Sequence, residues 1–185
     1  HVNLCEKLLV LTLAKISHLS PDGGIWLNTQ RPEWNDANNA LVGYGASMVT
    51  VYYLRRFLNF FQNILNQTDS EFISISRDVK EWLFEINDTL VEIRKKQNLE
   101  KLNNKDRMKF VIALGESFSS YRSKVYDKIF SKKDTLKTKK IYDFLGLGKN
   151  ILDYTINSNE KKGLFNAYNI IDFNISENKA QVNNL

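Results

Sequence analysis

Residues 41–66 read LVGYGASMVTVYYLRRFLNFFQNILN, and the way this stretch folds decides the architecture of the chain. Placed on a 3.6-residue period from about Ala37, Leu41, Val42, Tyr44, Met48, Val49, Val51, Tyr52, Tyr53, Leu54, Phe57, Leu58, Phe60, Phe61, Ile64 and Leu65 cover nearly the whole circumference. Such a pattern predicts one long helix over 37–66, packed on most of its sides. Arg55 and Arg56 fall in its middle, so they must reach an edge, a partner carboxylate or a cavity.

The flanking stretches carry narrower stripes. Between Ser70 and Lys96, Phe72, Ile75, Val79, Trp82, Leu83, Ile86, Leu90 and Ile93 recur at helical spacing with charges between them, the pattern of a helix that covers a core from outside. Asp106–Phe130 repeats the pattern, with Asn103 or Asn104 placed to cap its start. Residues 138–145 predict a short helix closed by Gly146 and Gly148. Leu4–Leu19 predicts a first helix, stopped by the turn chemistry of Pro21-Asp22-Gly23-Gly24. The segment through Tyr168 and Phe173 reads as loop or edge structure. The expected fold is all-α, a helical array or partial (α/α) toroid around one fully buried inner helix.

Composition narrows the function. The chain of 185 residues is ample for one core, and its 25% charged residues are an ordinary globular share, which argues against wholesale disorder. A net charge of +5 raises nucleic-acid binding. The basic runs, however, are short (Arg94-Lys95-Lys96, Lys132-Lys133, Lys137 to Lys140, Lys161-Lys162) and sit at expected helix ends or loops, not in one stripe. Nucleic acid is therefore an unlikely partner. Cys5 lies in an apolar helical pattern and reads as an inert thiol. His1 and His18 have no partners for a metal site, and neither metal nor cofactor is expected. No apolar run is long enough to span a membrane. The chain opens on His1 inside a helical pattern, which reads as a fragment of a longer protein with targeting information removed, and the cytoplasm is the default compartment.

The chemically distinctive stretch is the polar loop from Asp22 to Asn39. It gathers Trp26, Asn28, Gln30, Arg31, Glu33, Trp34, Asn35, Asp36 and Asn38. Trp faces stack on the apolar faces of sugars, and amide, carboxylate and guanidinium groups bond their hydroxyls in small, well-aimed sets. Structural duties also fit these residues: Asn35 or Asp36 as N-cap of the following long helix, Glu33 on its dipole, and the two Trp as core plugs.

Trp34-Asn35-Asp36-Ala37-Asn38-Asn39 resembles the Trp-Asn-Asp segment of glycoside phosphorylases of the cellobiose-phosphorylase type, which lie on an (α/α)6 barrel. Gly163-Leu164-Phe165-Asn166-Ala167-Tyr168-Asn169 resembles a segment further along such barrels, whereas Arg31-Pro32-Glu33 stands where the family has a Gly-rich lead-in. The resemblance implies a single helical domain over 1–175, part of a larger barrel, followed by a polar tail at 176–185. It also implies that Asp36 protonates a glycosidic oxygen while Trp34 walls the sugar site. An inverting hydrolase would need a second carboxylate roughly 6.5–9.5 Å away, for which Glu33 is the candidate, whereas a phosphorylase would let phosphate attack directly. Trp26, Asn28, Gln30, Arg31, Asn35 and Asn38 are the remaining candidates for substrate contact. The expected partners are an oligosaccharide and the remainder of the parent chain. The alternative is a helical module that binds sugar or serves as a scaffold without catalysis.

Overall fold

A computed structural model describes residues 2–28, 36–128 and 132–184, with the backbone alone at Asp36 and Asn38. In chain order the elements are α1 (Leu4–Ile16), β1 (Leu19–Ser20), β2 (Gly24–Trp26), α2 (Asp36–Ala40), β3 (Gly45–Ser47), α3 (Met48–Asn66), β4 (Phe72–Ser76) and α4 (Arg77–Leu99). They continue with α5 (Asn104–Tyr126), β5 (Lys133–Lys137), α6 (Thr138–Ser158), β6 (Glu160–Lys161), β7 (Leu164–Phe165), β8 (Tyr168–Asn174) and β9 (Lys179–Asn184). The fold is mixed α/β, not all-α: β1-β2-β3-β8-β9 form one antiparallel sheet, and β4–β5 and β6–β7 form separate two-stranded ribbons. The partial (α/α) toroid expected from the helical stripes is therefore replaced by helices packed against a sheet. Within the segment read as a polar tail, Lys179–Asn184 is β9, with Ala180 fully buried.

The stretch that decided the expectation divides into four pieces. Short α2 is followed by a turn, β3 and only then the long helix, whose N-cap is Ser47: its hydroxyl accepts from the Thr50 amide at 3.0 Å. Gly45 marks the point where the chain departs from a continuous helix. A Cβ there would lie 2.4 Å from that of Leu41, because the chain folds back on itself at this point. Helix α3 is not buried all round. Met48, Val51, Leu54, Leu58, Phe61 and Leu65 face the core, while Tyr53 and Phe60 are 67% and 54% exposed. Arg55 reaches the edge and pairs with Asp153 of α6 at 2.8 Å. Both partners are about two-fifths exposed, so this pair contributes under ~1 kcal/mol.

Helix α6 runs through both glycines expected to close it. Gly146 and Gly148 face α3, where added Cβ atoms would meet Gln62 Nε2 at 3.1 Å and Leu58 Cδ1 at 3.3 Å. Their smallness permits the close approach of the two helices, which offsets their poor helix propensity of about 1 kcal/mol each. On the other flank α4 and α5 meet through an aromatic stack, in which Trp82 lies 4.3 Å from the Tyr121 ring and 5.4 Å from that of Phe118. The α5 start is capped by Asn103, whose side chain accepts from the Lys105 and Asp106 amides, both at 2.9 Å.

Buried Glu6 ties α1 to the β4–β5 ribbon. Its carboxylate accepts from the Ser76 amide at 3.2 Å and from Lys133 Nζ. Burial opposes its ionisation, but the bonds from Lys133 and Ser76 and the Lys133 charge together hold its pKa below the ordinary value. Beside it, burial with the Glu6 charge pushes the Cys5 thiol up to about 11, so it stays protonated and unreactive near neutrality. No helix among the described residues is long and apolar enough to cross a membrane.

The Trp82 stack sets a first prediction. Trp82 is 2% exposed and its Nε1 has no hydrogen-bond partner among the described residues, so its contribution there is packing. Trp82→Ala should lower the unfolding free energy by about 3–5 kcal/mol in urea titration. Trp82→Phe, which removes only the unpartnered indole ring edge, should cost markedly less.

Candidate functional site

The segment that concentrates the candidate residues is an excursion between β2 and β3. Its neck is closed by two backbone bonds, Leu27 N–H to Gly45 O at 2.9 Å and Gly43 N–H to Leu27 O at 2.7 Å. Trp26 reinforces the neck by donating its Nε1–H to Gly43 O at 3.0 Å, and its ring meets Phe173 of β8 edge-on at 5.7 Å. The excursion therefore leaves the sheet from a rigid base.

Two of the expected substrate-contact residues, Trp26 and Asn28, come together at that base. They line a cleft of about 120 Å³ with His18, Phe118 and Arg122. The His18 ring packs edge-on to Phe118 at 5.2 Å, and the Arg122 guanidinium covers the same Phe118 ring at 5.4 Å. Such a wall combines an indole, an imidazole, an amide and a guanidinium around apolar surface, the mixture that a small polar ligand with apolar faces requires. Gln30, Arg31, Glu33, Trp34 and Asn35 lie outside the described residues. The backbone of Asp36 opens α2 and that of Asn38 lies within it. The long helix is capped by Ser47, not by Asn35 or Asp36.

His18 was legible only as an isolated histidine, yet it organises the cleft. Its Nδ1 lies 2.7 Å from Ala14 O, which can only accept, so Nδ1 carries the proton. Nε2 then accepts from the Asn28 amide at 2.6 Å. Burial lowers the His18 pKa, and the charges of Lys15 and Arg122 add to that, against the opposing bond to Ala14. Neither Phe118 nor Arg122 could be assigned to the site from spacing, since both sit in the stripe and wet face of an ordinary amphipathic helix.

At the opposite end of β2 the Pro21–Gly24 turn enters a second, polar region. Asp22 holds φ 65°, a left-handed conformation that Asp tolerates, and Gly24 holds φ 123° where a Cβ would strike the Ser47 carbonyl at 3.2 Å. The buried backbone of this turn is bonded from several elements. Arg107 Nε donates to Pro21 O at 2.9 Å, Asn159 Nδ2 to Asp22 O at 2.8 Å, and Asn169 Nδ2 to Gly23 O at 2.8 Å. Thr155 Oγ1 accepts from the Asp22 amide at 3.3 Å. The sequence marked this turn only as a helix stop; nothing in linear spacing pairs Asp22 with Arg107.

The His18 environment predicts a pH response. Its ring should titrate below the ordinary 6.5 and remain Nδ1-protonated at neutral pH, as read from imidazole nitrogen shifts by NMR. Because the folded pKa is lowered, the stability tied to the neutral ring is present above the unfolded value and is lost as pH falls from about 6.5 through the folded midpoint. Protonation at Nε2 should also turn the Asn28 amide, since a donor can no longer face it. No family model matches this chain, and no curated protein matches its sequence.

Proposed function

We propose that this chain is part of a carbohydrate-active enzyme that cleaves glycosidic bonds, by inverting hydrolysis or phosphorolysis, with Asp36 as the general acid. The observation that carries this reading is the meeting of Trp26 and Asn28 with His18, Phe118 and Arg122 in one cleft at the root of the excursion. The chain leaves that cleft directly into the segment containing Trp34-Asn35-Asp36, whose resemblance to the phosphorylase segment supplies the acid and the second indole wall. Capping of α3 by Ser47 supports the reading further, because the long helix makes no demand on Asp36. The reading rests on the segment and the cleft, not on a barrel architecture.

Trp26 and Trp34 would present stacking faces. Asn28, Gln30, Arg31, Asn35 and Asn38 would bond hydroxyls, and Glu33 would either activate water or stay outside the reaction, according to whether water or phosphate attacks. An acid must be protonated at working pH, so a carboxylate neighbour or burial has to raise its pKa.

Asp36→Asn in the parent protein should slow release of reducing ends from oligosaccharides by roughly 10²–10⁴-fold, with substrate binding retained. Cleavage at the wild-type rate would overturn the acid assignment. Oligosaccharide binding without cleavage in the wild-type parent protein would instead establish a non-catalytic sugar-binding module.

A further inference from the structure

The polar region beyond the Pro21–Gly24 turn opens into a cleft of about 460 Å³, separate from the cleft at Trp26. The two lie at opposite ends of β2 and along α5: Arg107 and Phe118 are 11 residues apart on that helix, about 16 Å at 1.5 Å per residue. The lining includes Asp22 and Arg107, 7% and 5% exposed, with exposed Lys101 and Lys161 at the rim.

The polar groups of this cleft are incompletely matched. Arg107 spends Nε on Pro21 O and Nη1 on Asn104 Oδ1 and Ala180 O, at 2.8–2.9 Å. Its Nη2 makes no hydrogen bond among the described residues and lies 3.8 Å from Asp22 Oδ2, beyond bonding distance. Among the described residues Asp22 Oδ2 has no hydrogen-bond partner, while Oδ1 has only the long 3.4 Å bond from Gln97. Neither Lys101 nor Lys161 has a carboxylate within 4.0 Å among the described residues, although Lys101 is near enough for its charge to act on Asp22. Arg107, Lys101 and Lys161 therefore line the cleft with the single carboxylate of Asp22, the charge of Asp106 also acts on Arg107, and Arg107 Nη2 and the buried Asp22 Oδ2 are left without hydrogen-bond partners among the described residues.

We infer that this cleft binds inorganic phosphate, a tetrahedral oxyanion that still carries a proton at neutral pH. The Arg107 Nη2 donors and the two rim ammonium groups meet the anionic oxygens, as guanidinium and ammonium groups do in phosphate sites. The P–OH donates to Asp22 Oδ2. The acceptor decides the selectivity: phosphate keeps a proton at neutral pH and can satisfy a carboxylate, whereas sulfate has none and is repelled by it. Burial raises the Asp22 pKa against the lowering effect of Arg107, Gln97 and Lys101, which agrees with a carboxylate short of donors. This site does not depend on the sugar reading of the Trp26 cleft.

Calorimetric titration of the chain with inorganic phosphate, glycerol phosphate and sulfate at low ionic strength and neutral pH tests the assignment. Saturable phosphate binding in the range of ~0.1–1 mM is expected, with sulfate weaker by about tenfold or more. Glycerol phosphate, whose ester group loses its second proton at about pH 6, should bind more weakly than inorganic phosphate at neutral pH. The double variant Lys101→Gln/Lys161→Gln, confined to exposed side chains, should keep the wild-type melting temperature and lose about tenfold in phosphate affinity. Asp22→Asn should erase the discrimination between phosphate and sulfate. Equal affinity for sulfate and phosphate in the wild-type chain, no saturation by ~10 mM inorganic phosphate, or undiminished binding by the lysine variant would each overturn the assignment. The sulfate comparison and the lysine variant decide the matter even if Asp22→Asn does not fold.

Discussion

Burial of the Pro21–Gly24 backbone is the constraint around which the rest of the structure is arranged. Peptide groups withdrawn from water must be bonded, and here the bonds come from side chains, because so tight a turn cannot satisfy its own carbonyls. Arg107 at the start of α5, Asn159 beyond the end of α6 and Asn169 in β8 each contribute one donor. Asn169 also donates to Asn159 Oδ1 at 2.8 Å, so the two amides hold one another in the orientation the turn needs. Two helix termini and a sheet strand consequently converge on one loop. Removing a single donor would leave a buried carbonyl unmet, at a cost of about 1–3 kcal/mol.

This convergence explains where the clefts fall. Helix α5 lies along one face of the sheet, where Met108 packs with Ala46, Ile171 and Ala180 in a small second core. At its first turn, Arg107 is drawn to the buried loop and the polar cleft opens beside it. Two-thirds of the way along, Phe118 and Arg122 meet His18 and form the aromatic cleft. One helix thus carries the walls of both, and its seam with α4, sealed by Trp82, keeps them in register with the larger core.

Much of the helical skeleton was legible because its stripes have one wet face. Val79, Trp82, Leu83, Ile86, Leu90 and Ile93 are buried as their spacing implies, and Asn103 caps α5 as expected. The all-α reading failed where apolar residues belong to elements of different period. Leu41, Val42 and Tyr44 lie in a turn, yet they fall by chance on the helical net of α3. Phe72 and Ile75, taken into the stripe of α4, belong to β4. Strand β8 was hidden by Asn169, fully buried at a position where alternation calls for an apolar side chain. The same polar substitution that disguised the strand is what ties the turn. Of the site, Trp26 and Asn28 were legible from composition. His18, Phe118, Arg122 and the Asp22–Arg107 pair were not, because their association exists only after the chain has folded.

The β4–β5 ribbon has no loop between it and the helices that follow: β4 passes at Ser76 into α4, and β5 passes at Lys137 into α6. Its paired register, Ser76 opposite Lys133 and Phe72 opposite Lys137, fixes where both helices begin and in what angular phase. An α-helix advances about 100° per residue, so one residue inserted between Lys137 and Thr138 would rotate every side chain of α6 by that angle about its axis. Gly146 and Gly148 would turn away from α3 and larger side chains would take their place. The ribbon therefore acts as a phase lock for α6, setting the angle at which the glycines meet α3 and at which Thr155 and Asn159, further along, reach the buried turn.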